Sequence, residues 1–205
     1  MARIYDRFMA ATEQACLARW RGELLADLRG EVLEVGAGTG ANLPYYSAAV
    51  ENLVLSEPEP AMRKQLEQKL ASQAHAAQQV EIAAALSHQL PYEAGRFDAV
   101  VCTLVLCSVP DVAASLAEVR RVLKPGGKFV FIEHVRDEQR AGRRLLQHAV
   151  QPAWRLIAGG CHLTRRTEQL IEGAGFEIQQ IERESMRKAL PIVRPSIRGL
   201  ANAPA

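Results

Sequence analysis

The chain has 205 residues, 48% apolar and 23% charged, an ordinary composition for a globular protein and enough for one well-buried core. No stretch approaches the roughly 18 unbroken apolar residues of a membrane helix, and the opening Met-Ala-Arg-Ile-Tyr-Asp-Arg-Phe lacks a secretory apolar region, so a cytoplasmic location is expected. The net charge is only +2, which gives no reason to expect a nucleic-acid partner.

In chain order, residues 3–28 read as an amphipathic helix with Ile4, Phe8, Leu17, Trp20, Leu24 and Leu28 near helical spacing, ended by Gly30. Glu31 to Val35 is a short β-branched strand running into a glycine-rich turn, and Leu53 to Ser56 is a second strand. A helix over 60–74 carries Met62, Leu66 and Leu70 on one face, and Val80 to Ala83 is a third strand. Phe97 to Val105 is nearly continuously apolar, as a central strand covered on both faces reads. Asp111 caps a helix that runs to Leu123 and is stopped by Lys124-Pro-Gly-Gly. Lys128 to Val135 is a fifth strand, residues 138–158 are largely helical with a break at Pro152, and Thr167 to Ala174 is a last helix. Phe176–Glu184 and Ile197–Ala203 fit a closing antiparallel pair.

Strands alternate with helices for five rounds, so the expected fold is a doubly wound α/β domain, its seven-stranded sheet mainly parallel with a C-terminal antiparallel hairpin. One domain is expected over 1–205, with a lid helix at 1–28, a binding core at 31–135 and acceptor-side elements at 136–205. Ligands of such sheets bind beyond the carboxyl ends of the strands at the switch point, which selects the turns after Val35, Ser56, Ala83, Val105 and His134.

Cys16, Cys102, Cys107 and Cys161 are scattered, which argues against a disulfide framework. None of their spacings is that of a metal knuckle, so no metal is expected, and Cys102 and Cys107 read as small buried hydrophobes. From Arg136 to Arg198 there are twelve Lys or Arg against seven Asp or Glu, a net of +5, leaving −3 elsewhere. Such a bias attracts anionic substrates or an anionic membrane surface, although a solvated face is the plainer reading.

The strongest motif is Glu34-Val35-Gly36-Ala37-Gly38-Thr39-Gly40, directly after a strand. Glycines there allow positive φ and close ligand approach, and the next helix presents bare N–H groups. The spacing G-x-G-x-G is one residue shorter than the dinucleotide fingerprint, leaving less room for a pyrophosphate while accommodating a ribose and a methionine tail. Glu57 ends the second strand 17 residues past Gly40, where a carboxylate accepts from both ribose hydroxyls, and Pro58 is placed to stack under adenine.

With Leu90-Pro91-Tyr92, Phe97-Asp98 and Val122-Leu123-Lys124-Pro125-Gly126-Gly127, the order of motifs resembles the class I methyltransferases that act on small molecules. A narrower resemblance, to the mammalian methyltransferase-like seven group of alkyl-thiol S-methyltransferases, rests on Gly40-Ala41-Asn42, Val101 to Val109, Glu133-His134-Val135, Gly160 to Arg165 and the tail from Leu190 to Gly199. The resemblance implies S-adenosylmethionine as cofactor, held by Glu34, Gly36, Ala37, Gly38, Gly40 and Asn42, by Glu57 and Pro58, by Leu86 and Ser87 in the third turn, and by Thr103 and Leu104 after the fourth strand. Two departures stand out: Ala85-Leu86-Ser87-His88 lacks the family's usual acid, and an apolar N-terminal anchor like that of the mammalian proteins is not expected.

The implied reaction is direct in-line transfer of a methyl group to a small-molecule acceptor, an apolar thiol first, a quinone precursor or phospholipid head group second. A few per cent of a thiol is already thiolate at neutral pH, whereas a phenol needs a base. His134 is the best-placed imidazole, followed by His162 and Cys161, and Cys107 is a candidate pocket wall rather than a nucleophile. Tyr5 and Phe8 are expected to fold over the cofactor as a lid, and Leu145, Leu146, Trp154 and Ile157 to form an apolar acceptor wall, a membrane contact or plain core. A nicotinamide-dependent dehydrogenase is disfavoured by the short glycine spacing, and a non-catalytic cofactor-binding protein remains open.

Overall fold

The computed structural model describes residues 2–204, and the side chains of residues 2–5 and 8 lie outside the described set. The chain opens with α1 (Ala2–Thr12), a π-helical turn over Glu13–Leu17 and α2 (Ala18–Leu25). The expected first helix is therefore present but locally underwound: the π turn brings Cys16 and Leu17 onto the buried face with Trp20 and Leu24. The strands are β1 (Gly30–Val35), β2 (Val50–Ser56), β3 (Gln79–Ala83), β4 (Phe97–Thr103), β5 (Leu123–His134), β6 (Glu177–Ser185) and β7 (Pro195–Asn202). Between them lie α3 (Pro60–Ser72), α4 (Val112–Val122), α5 (Ala141–Ile157) and α6 (Thr167–Gly173).

The seven strands are ordered β3-β2-β1-β4-β5-β7-β6. The first five pair in parallel, and β7 inserts antiparallel between β5 and β6, giving the expected mainly parallel sheet with a closing hairpin. Side chains alternate across the sheet. Val32, Leu53, Leu55, Val101 and Ile132 pack under Leu17, Trp20, Leu25 and Leu66 on one face. Leu33, Val54, Val100, Phe129 and Phe131 pack against Leu116, Val119, Ile171 and Phe176 on the other. The order reverses between β1 and β4, which opens a crevice at their carboxyl ends.

Three expectations change in detail. The helix after Asp111 is capped as expected, Asp111 Oδ1 accepting from Ala114 N at 2.9 Å, but Lys124-Pro-Gly-Gly is not a separate loop. β5 already pairs at Leu123 opposite Phe97, and 124–127 bulge out before pairing resumes at Lys128 opposite Ala99. Second, β4 ends at Thr103 because Leu104 turns to φ +59°. Third, α5 runs through Pro152 unbroken. The carbonyl deprived of a donor there is that of His148, and both residues are exposed, so water replaces the missing bond. Among the described residues, no helix is long and apolar enough to cross a membrane.

Candidate active site

The turn after β1 is made possible by three left-handed residues: Gly36, Gly38 and Gly40 have φ of +68°, +58° and +80°. At Gly36 a side chain is excluded by the protein itself, since a Cβ would sit 2.5 Å from Val105 Cγ2. At Gly38 a Cβ would meet nothing within 4 Å: the turn is open on that side. The backbone is tied down by Ala37 N to Ser56 O and Gly40 N to Ala37 O, both 2.9 Å.

Glu57 is 7% exposed at the end of β2. Its Oε2 accepts from Gly38 N at 2.8 Å and its Oε1 from Glu59 N at 2.9 Å. A carboxylate offers about four acceptor positions, so each oxygen, already oriented by one backbone donor, keeps capacity for one more. The open face of Gly38 and a carboxylate with spare acceptor capacity fit an adenosyl group with its ribose on Glu57.

Other predicted cofactor residues are engaged inside the protein. Glu34 is buried, its two oxygens accepting from Asn42 Nδ2 at 2.9 Å and Tyr46 Oη at 2.7 Å. Burial pushes its carboxyl up to about 7, against the opposing pull of Tyr46, Arg21 and Asn42. Asn42 also reaches Thr103 Oγ1 at 3.0 Å and accepts from Arg21 Nη1 at 2.6 Å, and Arg21 is paired with Glu13 at 2.8 Å. These side chains brace the turn from beneath, linking it to α2, to the π turn and to the end of β4. Leu104, in a backbone region unusual for a residue with a Cβ, donates its N–H to Ile132 O at 2.8 Å. Pro58 and Leu86 are exposed beside the crevice, and Ser87 Oγ is 2.8 Å from Ser115 Oγ, facing α4. The expected lid contacts of Tyr5 and Phe8 lie outside the described residues. Asp6, between them on the same turn, does reach the site: Thr39 Oγ1 donates to Asp6 Oδ1 at 2.7 Å.

On the other side of the crevice the loop after β4 is pinned by Glu133, which is fully buried. It accepts from the backbone N–H groups of Val105 (2.9 Å), Leu106 (2.8 Å) and Cys107 (3.1 Å). Its carboxyl is raised to about 7 by desolvation, which those three donors oppose. Arg165 grips the same loop, donating to the carbonyls of Leu106 and Val109, and Cys107 O accepts from His162 N at 2.7 Å.

This scaffold brings Cys107, His134 and Cys161 together, their ligand atoms all within 4.8 Å of one another, in contrast to the scattered cysteines expected from spacing. Cys107 lies beyond β4 in the pinned loop rather than on the strand itself. Cys161 Sγ is 2.8 Å from His134 Nε2 and 3.1 Å from Trp154 Nε1. The Cys161 thiol is held well below its usual range by the neighbouring Cys107, by His134 and by Trp154, against the opposing effect of burial. Cys107 is pushed up by donating to Cys161 and by burial. His134 Nδ1 is buried with no partner. Spacing gave no hint of this cluster, since 27 residues separate His134 from Cys161. The signal available was an acid and a histidine, Glu133-His134, ending an apolar strand.

Leu145, Leu146 and Ile157, together with Leu156, are not core: they are 72%, 47%, 74% and 88% exposed along one side of α5. Trp154 faces inward to Cys161 instead.

Residues 33–131 match the model of a family described as a methyltransferase domain. The human protein named thiol S-methyltransferase TMT1A is 34% identical over 198 residues, 97% of this chain and 81% of its own length. The human thiol S-methyltransferase TMT1B is 36% identical over 96% of this chain and 80% of its own. The fold also matches the crystal structure of a methyltransferase-fold protein from Bacillus halodurans C-125 (TM-score 0.73, 19% identity, 93% of this chain and 100% of that one), a likeness of fold alone. The chain belongs to the class I S-adenosylmethionine-dependent methyltransferases and is related to the thiol S-methyltransferases within them.

Proposed function

We propose that the protein methylates the sulfur of small apolar thiols. The observation that carries this reading is identity of 34–36% along nearly the whole chain to two proteins named as thiol S-methyltransferases. When bound, S-adenosylmethionine supplies an electrophilic methyl group on a sulfonium. In this reading Glu57 grips the ribose, the open side of Gly38 admits the methionine portion, and Glu34, Asn42 and Thr103 hold the turn rigid beneath them. The pinned 104–107 loop, lying on Gly36 through Val105, aligns the acceptor, a positioning effect worth up to roughly 7–11 kcal/mol in favourable cases.

Cys107 and His134 belong to the acceptor wall. His134 Nε2 is already engaged by Cys161, so a dedicated base is not its simplest role, and a thiol, partly ionised at neutral pH, has the least need of one. The test is a mass-spectrometric competition among small thiols, phenols and amines with the methyl donor. One added methyl on an alkyl thiol is expected, and methylated phenols with unmodified thiols would refute the thiol reading.

A second observation supports peripheral contact with an anionic membrane surface. Leu145, Leu146, Ala149, Ala153, Leu156 and Ile157 form an exposed stripe at helical spacing along α5, with Arg144, His148 and Arg155 beside it. Basic residues flanking an exposed apolar stripe are the pattern of helices that lie in the headgroup region. An apolar thiol dissolved in such a surface would then be delivered beside the crevice.

A further inference from the structure

We infer that Cys107, His134 and Cys161 form a three-ligand site for a soft divalent metal, zinc foremost, whose fourth position takes the sulfur of the acceptor thiol. The inference rests on the thiol reading above for the identity of the fourth ligand, and on the structure alone for the metal.

The donor set is two sulfurs and one imidazole nitrogen, all within 4.8 Å of one another and contributed by three separate segments. In a tetrahedral site with zinc–sulfur bonds of about 2.3 Å, two sulfurs stand about 3.8 Å apart, so small side-chain movements suffice. Three protein ligands with one open position is the pattern of a catalytic rather than a structural zinc. The carriers are fixed: Glu133 and Arg165 pin the loop bearing Cys107, and Gln151 holds Cys161 O at 3.4 Å and Leu163 N at 2.6 Å. Trp154 Nε1, 3.1 Å from Cys161 Sγ, supplies the outer hydrogen bond that metal-bound thiolates commonly receive. His134 is buried and turns its Nε2 into the cluster, 2.8 Å from Cys161 Sγ, the placement a ligating imidazole needs.

Location gives the site its purpose. Cys107 is two residues from Val105, whose methyl groups press on Gly36 in the cofactor turn. A thiol entering the fourth position forms a metal–sulfur bond and releases its S–H proton to solvent water, becoming a thiolate without any protein base. The metal neither gains nor loses electrons.

The test uses the full chain, treated with EDTA and then titrated with Zn²⁺ or Co²⁺. One ion per chain is expected, with thiolate-to-cobalt charge-transfer absorption. X-ray absorption of the zinc form should show two sulfurs and one nitrogen, and a third sulfur once a small alkyl thiol is added. Trp154→Phe should weaken metal affinity about 10–100-fold, and Cys161→Ser should lose the charge-transfer band while S-adenosylhomocysteine still raises its melting temperature. No uptake by the wild-type chain, uptake unaltered in Cys161→Ser, or full thiol methylation by metal-free protein would overturn the metal site while leaving the methyltransferase reading intact. Uptake without a third sulfur, and with phenols methylated instead of thiols, would overturn the fourth-ligand assignment together with the thiol reading.

Discussion

Two glycines separated by one residue in the same turn should respond differently to alanine. Both adopt left-handed φ, +68° at Gly36 and +58° at Gly38, which costs a residue with a Cβ about 1–2 kcal/mol. At Gly38 that is the whole cost in the free protein, because the new methyl meets nothing within 4 Å. At Gly36 the methyl would stand 2.5 Å from Val105 Cγ2 and 3.1 Å from Cγ1. Overpacking of that kind adds about 1–3 kcal/mol. Urea unfolding should therefore place Gly36→Ala below Gly38→Ala by about 1–3 kcal/mol, and adding Val105→Ala should recover part of the difference. Calorimetric titration with S-adenosylhomocysteine should rank them the other way relative to their stability. Gly38→Ala, still folded, loses affinity by tenfold or more, about 1.4 kcal/mol, since its methyl occupies the space assigned to the ligand. Equal stabilities, or unchanged affinity in Gly38→Ala, would refute the reasoning.

Glu57→Ala should cost about 1–3 kcal/mol of cofactor affinity through lost hydrogen bonds to a charged acceptor, read by the same titration. Glu34 supplies a pH dependence. Its carboxyl is raised from 4.5 to about 7 by burial, with Glu57 adding to the shift and Arg21, Tyr46 and Asn42 opposing it. Between those values the folded chain binds more protons than the unfolded one, so this group lowers stability as pH rises, by at most ~3 kcal/mol at pH 8 relative to pH 4. Glu34→Gln should flatten that part of the slope in denaturant titrations from pH 5 to 8, and an identical slope would disprove the assignment. On α5, Leu145→Asp with Leu156→Asp should reduce co-sedimentation with anionic vesicles tenfold or more, and a wild-type chain that stays in solution would rule out the membrane contact.

What was legible in the sequence was local. The apolar run of β4, the Asp111 cap, the glycine turn after β1 and the acid ending β2 each announce themselves within a few residues, and their order alone implies the switch point. What was not legible depends on long-range closure. Glu13, Arg21, Asn42, Glu34 and Tyr46 become one network only when the π turn sets the pitch of the first helix against the turn. Cys107, His134 and Cys161 converge because Glu133 folds the loop after β4 onto the end of β5. Pro152 reads as a break along the chain, yet it sits on a wet face where the lost bond is cheap. Leu145, Leu146, Trp154 and Ile157 stand out in the sequence as apolar residues of one segment, but apolar character alone does not say that Trp154 turns inward while the others face water.

The most direct test is a crystal structure grown with S-adenosylhomocysteine. It should show the ribose hydroxyls on the Glu57 carboxylate and the amino-acid portion along the open face of Gly38. Density for the ligand elsewhere, with Glu57 still bonded only to Gly38 and Glu59, would contradict the assignment of the crevice.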